Sequence, residues 1–348
     1  MNNITNLLRK GNIYNIINRL KTCDETLITK KNLINMMDSN INNRIIYASQ
    51  FTYNEMPLRF SKRIKELEEL PFNIDDTHLI STIREWYIDS LNDILDLEYP
   101  DDLTKCKILH DAMKGIYDRH TGTLVTMAGG LNDINRENIN INKFLDNFYT
   151  NRTRTRLLTY NFLSYFDEQE NHIGAINLKC NINKVIERAV DDLNTIVIQN
   201  RLEIPTIKIN IEQLNFQYID SYLYYPILEI LKNSTTAVNN NKNEQKIINI
   251  SSINDDKIYV LKIEDNGIGI KDDDLHKIWN YNYTSVPDEI NSYKRDFGIN
   301  SPISGFGYGL PISDILIKTF GGSIKVFSEY GIGTQVYITI NKKHNWYL

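Results

Sequence analysis

Four short stretches carry residues whose types and spacing can do chemistry. In Pro226–Val238, Glu229 and Asn233 are four residues apart in a helical pattern, which puts them on one face. An Asn amide oxygen suits a Mg²⁺ held mainly by phosphates, and a Glu carboxylate one turn earlier can take a proton from an attacking hydroxyl. Lys232 lies beside them, facing phosphate or solvent. The second stretch is Asp265-Asn266-Gly267-Ile268-Gly269, which ends the alternating run Ile258–Glu264. A carboxylate in an apolar slot accepts the 6-amino proton of adenine, and the glycines let the chain bend close to the base. The third, Trp279-Asn280-Tyr281-Asn282-Tyr283-Thr284-Ser285, leads into a polar segment to Ser304 that reads as a mobile lid. The fourth is Gly305-Phe306-Gly307-Tyr308-Gly309-Leu310-Pro311-Ile312, which opens an amphipathic helix. Backbone N–H groups at such a helix start suit phosphate. No Gly-Lys-Ser/Thr follows and no strand precedes, so the stretch is neither a Walker loop nor a dinucleotide fingerprint.

Each stretch alone has a plainer reading. An isolated Glu/Asn pair is usually a solvated helix face, and a glycine-rich stretch is usually a turn. The Asp265 loop could be a turn or a calcium loop, but Asp272, Asp273 and Asp274 come too late for EF-hand spacing. Those three acids read as the charged start of a helix before Leu275. Asp296-Phe297-Gly298 copies a kinase Mg²⁺ triplet, but no His-Arg-Asp loop, strand lysine motif or Ala-Pro-Glu accompanies it, so it reads as chance.

Composition sets the frame for these elements. A chain of 348 residues that is 41% apolar has room for about two domains with real cores. A net charge of −5 argues against nucleic acid or anionic lipid as a charge-driven partner. Cys23, Cys106 and Cys180 are far apart, as free thiols in a reducing compartment would be, and the six histidines do not cluster. No apolar run approaches the roughly 20 residues of a membrane span.

Along the chain, residues 1–23 are basic, acid-free and amphipathic, the pattern of a mitochondrial presequence or of a frayed N-terminal helix. Residues 24–170 read as helices: Met56–Leu70, His78–Leu97, Asp101–Tyr117 and Asn142–Phe166 predict a four-helix bundle. Helical periodicity stops near Phe166–Cys180, which places a junction there. Residues 171–341 then alternate helices (Asn183–Arg201, Ser221–Val238) with strands (Thr206–Ile211, Lys246–Ser251, Lys257–Glu264, Gly322–Ser328, Thr334–Ile340), and 342–348 form a tail. The expected fold is therefore two-domain, α followed by an α/β sandwich with helices over one face of a mixed sheet.

The order Glu…Asn, Asp-x-Gly-x-Gly, aromatic-Thr-Ser, Gly-x-Gly-x-Gly resembles the ATP-binding fold of gyrase-type topoisomerases, heat-shock chaperones, histidine kinases and MutL. Within that superfamily, Gly305–Ser313 is most similar to the mitochondrial protein kinases acting on pyruvate and branched-chain 2-oxo acid dehydrogenases. Glu85–Ser90, Arg119-His120, Thr126–Ala128, Phe144–Tyr149 and His172–Ile176 resemble the same family's regulatory bundle and junction. The resemblance implies ATP and Mg²⁺ as cofactors, with Glu229 as base for a serine hydroxyl and Asn233 on Mg²⁺. It also implies Asp265 on adenine and Lys232, Thr236, Gly267, Gly269, Thr284, Ser285 and Gly305 to Leu310 around the nucleotide. Asn280, Tyr283 and Gly307 match a K⁺ region, and Tyr87, Ser90 and His120 match a pocket for small acids. Arg152 and Arg156, one turn apart, suit a carboxylate there. As partners it implies the E1 subunit of a dehydrogenase, the lipoyl domain of its E2 core and a second copy of the chain, in the mitochondrial matrix.

The sequence departs from that family in places. Tyr225 stands where many pyruvate-type members carry a base-assisting histidine, Thr236 and Tyr117 each replace an expected arginine, and the tail ends Asn345-Trp346 rather than Asp-Trp. Asp265–Gly269 lacks the usual three consecutive glycines. Two other readings stay open: a protein histidine kinase, with His120 as its candidate acceptor, and a non-catalytic ATP-binding scaffold, supported by Tyr225 and Thr236. An ATPase of the chaperone or mismatch-repair type shares the Glu/Asn spacing but normally carries a further transducer domain.

Overall fold

The structure, a computed structural model, describes residues 12–29, 40–70, 77–132, 141–167, 169–242, 245–284 and 307–342. It divides into two compact units between Ile176 and Asn177, where the sequence reading put the boundary at 170/171.

The first unit is helical. Four long helices, Ile41–Glu68, His78–Leu95, Leu103–Arg119 and Asn142–Ser164, form the bundle, with shorter helices at Ile13–Leu20 and Thr123–Asn132. Side-chain oxygens cap several starts: Asn12 accepts from the Tyr14 N–H, Asn40 from Asn42 and Asp102 from Lys105. The core interleaves Ile64, Leu67, Ile80, Ile83, Leu91, Ile94, Met113, Leu145, Phe148 and Leu157, all buried. Within the predicted presequence, Ile16, Ile17 and Leu20 are buried, and their helix packs on Ile41–Glu68.

One element differs from expectation. The helix expected at Met56–Leu70 begins fifteen residues earlier, at Ile41, and Pro57 lies inside it. Proline is favoured in a first helical turn, yet here the helix runs through Pro57 without a break. The buried face of this helix also carries charge: Glu55, Arg59 and Arg63 are all enclosed. Arg59 Nε donates to Glu55 Oε1 at 3.0 Å and its Nη2 to the Thr26 carbonyl at 3.1 Å. An interior ion pair of this kind breaks the apolar stripe by which a helix is read.

The second unit holds a five-stranded mixed sheet whose strands lie in the order Thr206–Asn210, Ile247–Asn254, Ile258–Asp265, Gly333–Asn341, Ser323–Glu329. Following β1 (His172–Ile173) and β2 (Ile176–Asn181), its strands are β3 (Thr206–Asn210), β5 (Ile247–Asn254), β6 (Ile258–Asp265), β7 (Ser323–Glu329) and β8 (Gly333–Asn341). β3 runs parallel to β5, and the other pairs are antiparallel. Along β6 the residues Tyr259, Leu261, Ile263 and Asp265 are buried and alternate with half-exposed ones. They face Ile340, Ile338, Val336 and Thr334 across β8. Period-two alternation therefore carries Asp265 to the end of the same buried row as the core residues. The Asp220–Asn239 and Gly309–Thr319 helices pack on this sheet and on each other, and Ile182–Gln199 packs on Asp220–Asn239. β2 and β4 (Asn215–Tyr218) form a further antiparallel pair that the sequence reading did not place. Both segments alternate apolar and polar residues (Ile176, Leu178, Cys180; Phe216, Tyr218), a strand pattern that is only six and four residues long.

Candidate active site

The Asp220–Asn239 helix supplies most of the side chains. Glu229 is buried on it, and its Oε1 receives Lys232 Nζ at 2.9 Å. Its other oxygen, Oε2, lies against Gly309, where an added Cβ would collide with it. The carboxylate thus sits between a buried ammonium and the first turn of the Gly309–Thr319 helix. Asn233, one turn further on, is exposed. Thr236 turns its hydroxyl back onto its own helix, donating to the Lys232 carbonyl at 3.0 Å.

Asp265 reaches the same helix from the end of β6. Ser234 Oγ donates to its Oδ2 at 2.8 Å, and the Gly267 N–H donates to Oδ1 at 3.0 Å. Burial pushes the Asp265 carboxyl above its ordinary range, and the bonds from Ser234, Gly267 and Thr334 oppose that rise. The loop after Asp265 is pinned on both sides. A Cβ on Gly267 would stand 2.6 Å from the Ala237 Cβ, and the Ile268 N–H donates to the Ala237 carbonyl at 3.2 Å. Gly269 has φ +67° and lies on the Glu329 carbonyl, so a side chain there meets both strain and a clash. The Gly331 N–H closes the loop onto the β7–β8 turn, bonding the Ile268 carbonyl at 2.8 Å.

The remaining expected residues fall as follows. Gly307, at φ +76°, packs against the peptide of Tyr283, so two of the three positions matched to K⁺ adjoin. Asn280 belongs to the same turn, its carbonyl accepting from the Tyr283 N–H at 3.4 Å. Tyr281 and Tyr308 meet with ring centroids 5.3 Å apart, and Thr284 and Leu310 are half-buried. Ser285, Gly305, Phe306, the lid to Ser304 and Asp296-Phe297-Gly298 lie outside the described residues. Two contributors were missed from sequence: Ser234, on Asp265, and Thr334, its cross-strand neighbour. Ser234 follows Asn233 directly, and Thr334 follows the Gly331-Ile332-Gly333 turn.

Fit can be judged from these contacts. Gly267, Gly269, Gly307 and Gly309 each pack their backbone directly on neighbouring protein, at Ala237, Glu329, Tyr283 and Glu229, so a side chain is excluded at all four. The Asp265 carboxylate accepts from Ser234, Gly267 and the Thr334 backbone, and its roughly four lone-pair sites leave one for an amino group. The carboxylate fits the amino group of an adenine base, and the exposed amide of Asn233 is the group on this helix that would hold a metal.

A second cluster lies in the helical unit. The Tyr87 and His120 rings are 4.3 Å apart, and Ser90 Oγ is 3.0 Å from His120 Nε2. Ser90 donates its proton to the Trp86 carbonyl and accepts from Arg119 Nη1 at 2.8 Å. The imidazole must therefore donate to Ser90 through Nε2–H, which leaves Nδ1 as a buried acceptor without a partner among the described residues. Burial, then Arg152, Arg119 and Arg156, lower the His120 pKa to about 3. Arg152 Nη2 donates to the His120 carbonyl at 2.8 Å and Arg156 Nη1 to the Tyr117 carbonyl at 3.1 Å. The five residues expected in an acid pocket are thus brought to one neighbourhood.

Comparison with known proteins divides the chain in the same way. The family model for mitochondrial branched-chain alpha-ketoacid dehydrogenase kinase matches residues 28–177. The model for histidine kinase-, DNA gyrase B- and HSP90-like ATPase matches residues 220–344. The human mitochondrial pyruvate dehydrogenase (acetyl-transferring) kinase isozyme 4 is 28% identical over 89% of this chain and 80% of its own. The corresponding kinase of Arabidopsis thaliana is 28% identical over 86% of this chain and 85% of its own. Over most of its length this chain is similar to mitochondrial kinases of pyruvate dehydrogenase. Its departures from the family pattern now have places. Tyr117, in place of an arginine, carries the Arg156 guanidinium over its ring at 3.8 Å. Tyr225 is half-buried one turn before Glu229. The Asn345-Trp346 tail lies outside the described residues.

Proposed function

We propose that this protein is an ATP-dependent protein serine kinase that phosphorylates, and thereby inactivates, the E1 subunit of a mitochondrial 2-oxo acid dehydrogenase. The observation that carries this reading is that one helix, Asp220–Asn239, holds two buried carboxylates, Glu229 as its own residue and Asp265 through Ser234. Asp265 is tied to Ser234 and Gly267, and Glu229 is held at the first turn of the Gly309–Thr319 helix. Kinship with kinases named for pyruvate dehydrogenase along most of the chain supports the substrate class. The matching model for the helical unit carries the branched-chain name, so either complex is a candidate.

In this mechanism Asp265 selects adenine, and Asn233 would hold Mg²⁺ together with the phosphates. Bound metal supplies charge neutralisation for the transferred phosphoryl group. Glu229 orients the substrate serine and takes its proton as the serine oxygen bonds the γ-phosphorus, the bond to the bridging oxygen breaks and ADP leaves. Backbone N–H groups from Gly307 to Leu310 stabilise the phosphate charge without a reorganisation cost. Lipoyl-domain docking, self-association, K⁺ near Tyr283 and Gly307, and an acid ligand at Tyr87, Ser90, His120, Arg152 and Arg156 complete the proposal, in the mitochondrial matrix.

Purified E1 proteins of both complexes, assayed with and without lipoyl domain, test this reading. Phosphate should enter an E1 serine, and Glu229→Gln should abolish transfer while ATP still binds. Absence of transfer to either E1, with ATP binding intact, would favour the non-catalytic scaffold. The Thr236 hydroxyl, spent on its own helix, is the observation on that side. Burial of His120 on Ser90 argues against it as a phosphoryl acceptor.

A further inference from the structure

Lys232 does not point where a phosphate-binding lysine would. It is only 3% exposed, whereas its neighbour Asn233 is exposed. Consecutive residues on a helix diverge by about 100°, so the two side chains face different surroundings. Lys232 turns inward and places its Nζ 2.9 Å from Glu229 Oε1, one turn back on the same helix. Both partners are buried. The second Glu229 oxygen lies against Gly309.

We propose that Lys232 is a positioning residue for Glu229 and not a ligand for phosphate. Its ammonium fixes one carboxylate oxygen so that the other is presented beside the glycine-rich turn at Gly309. This rests on the reading of Glu229 as the serine's proton acceptor. A carboxylate on a glutamate side chain has three rotatable bonds, and a general base must lie within hydrogen-bond reach of its proton. A buried ammonium bonded to one oxygen removes that freedom without occupying the oxygen that meets substrate. The same pairing explains how a lysine head group is tolerated in the interior, since a buried charge needs a partner.

The test compares the full-length parent, Lys232→Met, Lys232→Arg, Glu229→Gln and the double variant Glu229→Gln/Lys232→Met. It measures E1 phosphorylation kinetics together with equilibrium binding of ATP. A positioning role predicts that Lys232→Met lowers kcat by about 100-fold, the scale of general base catalysis, while Kd and KM for ATP stay near the parent's. Lys232→Arg should recover part of kcat, because it restores a cation beside Oε1. A loss of ATP affinity of about tenfold or more in Lys232→Met, the scale of a lost charge-assisted phosphate contact, would overturn the proposal. Parent-like kcat in Lys232→Met would also overturn it. Should Lys232→Met fail to fold with an unpaired carboxylate inside, the double variant carries neither charge. That variant should bind ATP as Glu229→Gln does, and weaker binding again rejects the proposal. The base reading fails separately, by parent-rate transfer from Glu229→Gln alone.

Discussion

At the scale of single residues, burial and hydrogen bonding decide which side chains titrate. His120 is held neutral, with its pKa lowered to about 3 chiefly by burial and then by Arg152. In the unfolded chain it titrates near 6.5. Between these values the unfolded state binds the extra proton, so stability rises with pH and is lost as pH falls below 6.5. From pH 7 to pH 5 this one group should remove about 2 kcal/mol. Urea unfolding of the parent and of His120→Gln at both pH values tests it. The variant should show that much less loss, and equal losses would mean that His120 is not the buried neutral base described. Asp265 gives a second residue-scale expectation. Ser234→Ala removes the hydroxyl donor to Oδ2 and should weaken ATP binding by about 1–2 kcal/mol, measured by titration calorimetry. Unchanged affinity would show that Gly267 alone suffices to orient the carboxylate.

At the scale of elements, the Asp220–Asn239 helix organises the site, and helical spacing explains why much of it is legible in sequence. Glu229 and Asn233 are an i, i+4 pair, and period-two alternation along β6 ends on Asp265. What local patterns could not show are contacts made by folding. Thr334 reaches Asp265 only through the β6–β8 register, and Arg59 is tolerated inside the Ile41–Glu68 helix because Glu55 and the Thr26 carbonyl meet it. Lys232 likewise read as facing phosphate or solvent: its i, i+3 spacing from Glu229 permits a pair, but helical spacing does not say that the pair is buried. Gly309 tests the meeting of two elements. It begins a helix with ordinary backbone angles, where alanine is favoured over glycine by up to about 1 kcal/mol. Its Cβ would nevertheless strike Glu229 Oε2. Gly309→Ala should therefore leave the melting temperature near the parent's while lowering phosphate transfer about tenfold or more, since small displacements of a reacting group are costly. Retained transfer would show that the Glu229 side chain has room to move without loss.

At the scale of the whole molecule, the two clusters of functional side chains belong to different compact units, each with its own buried apolar core. The residues proposed for the nucleotide, from Glu229 to Leu310, lie in Asn177–Trp346, and Tyr87, Ser90, His120, Arg152 and Arg156 lie in Met1–Ile176. A ligand stabilises the cooperative unit that binds it, by about 2.7 kcal/mol at 100 times its Kd, and leaves unlinked units unchanged. Mg·ATP added to the full-length chain should therefore slow amide exchange most in β5, β6, β8 and the Asp220–Asn239 helix. For amides that exchange only when their unit opens fully, the protection should approach about 100-fold. A small monocarboxylate such as pyruvate should act instead on the His78–Leu95, Leu103–Arg119 and Asn142–Ser164 helices. Exchange followed by mass spectrometry separates the two patterns in one experiment. Two distinct footprints would mean that each core opens on its own and that each ligand is read by its own unit. Protection spread equally over both units by either ligand would mean instead that the chain unfolds as a single body.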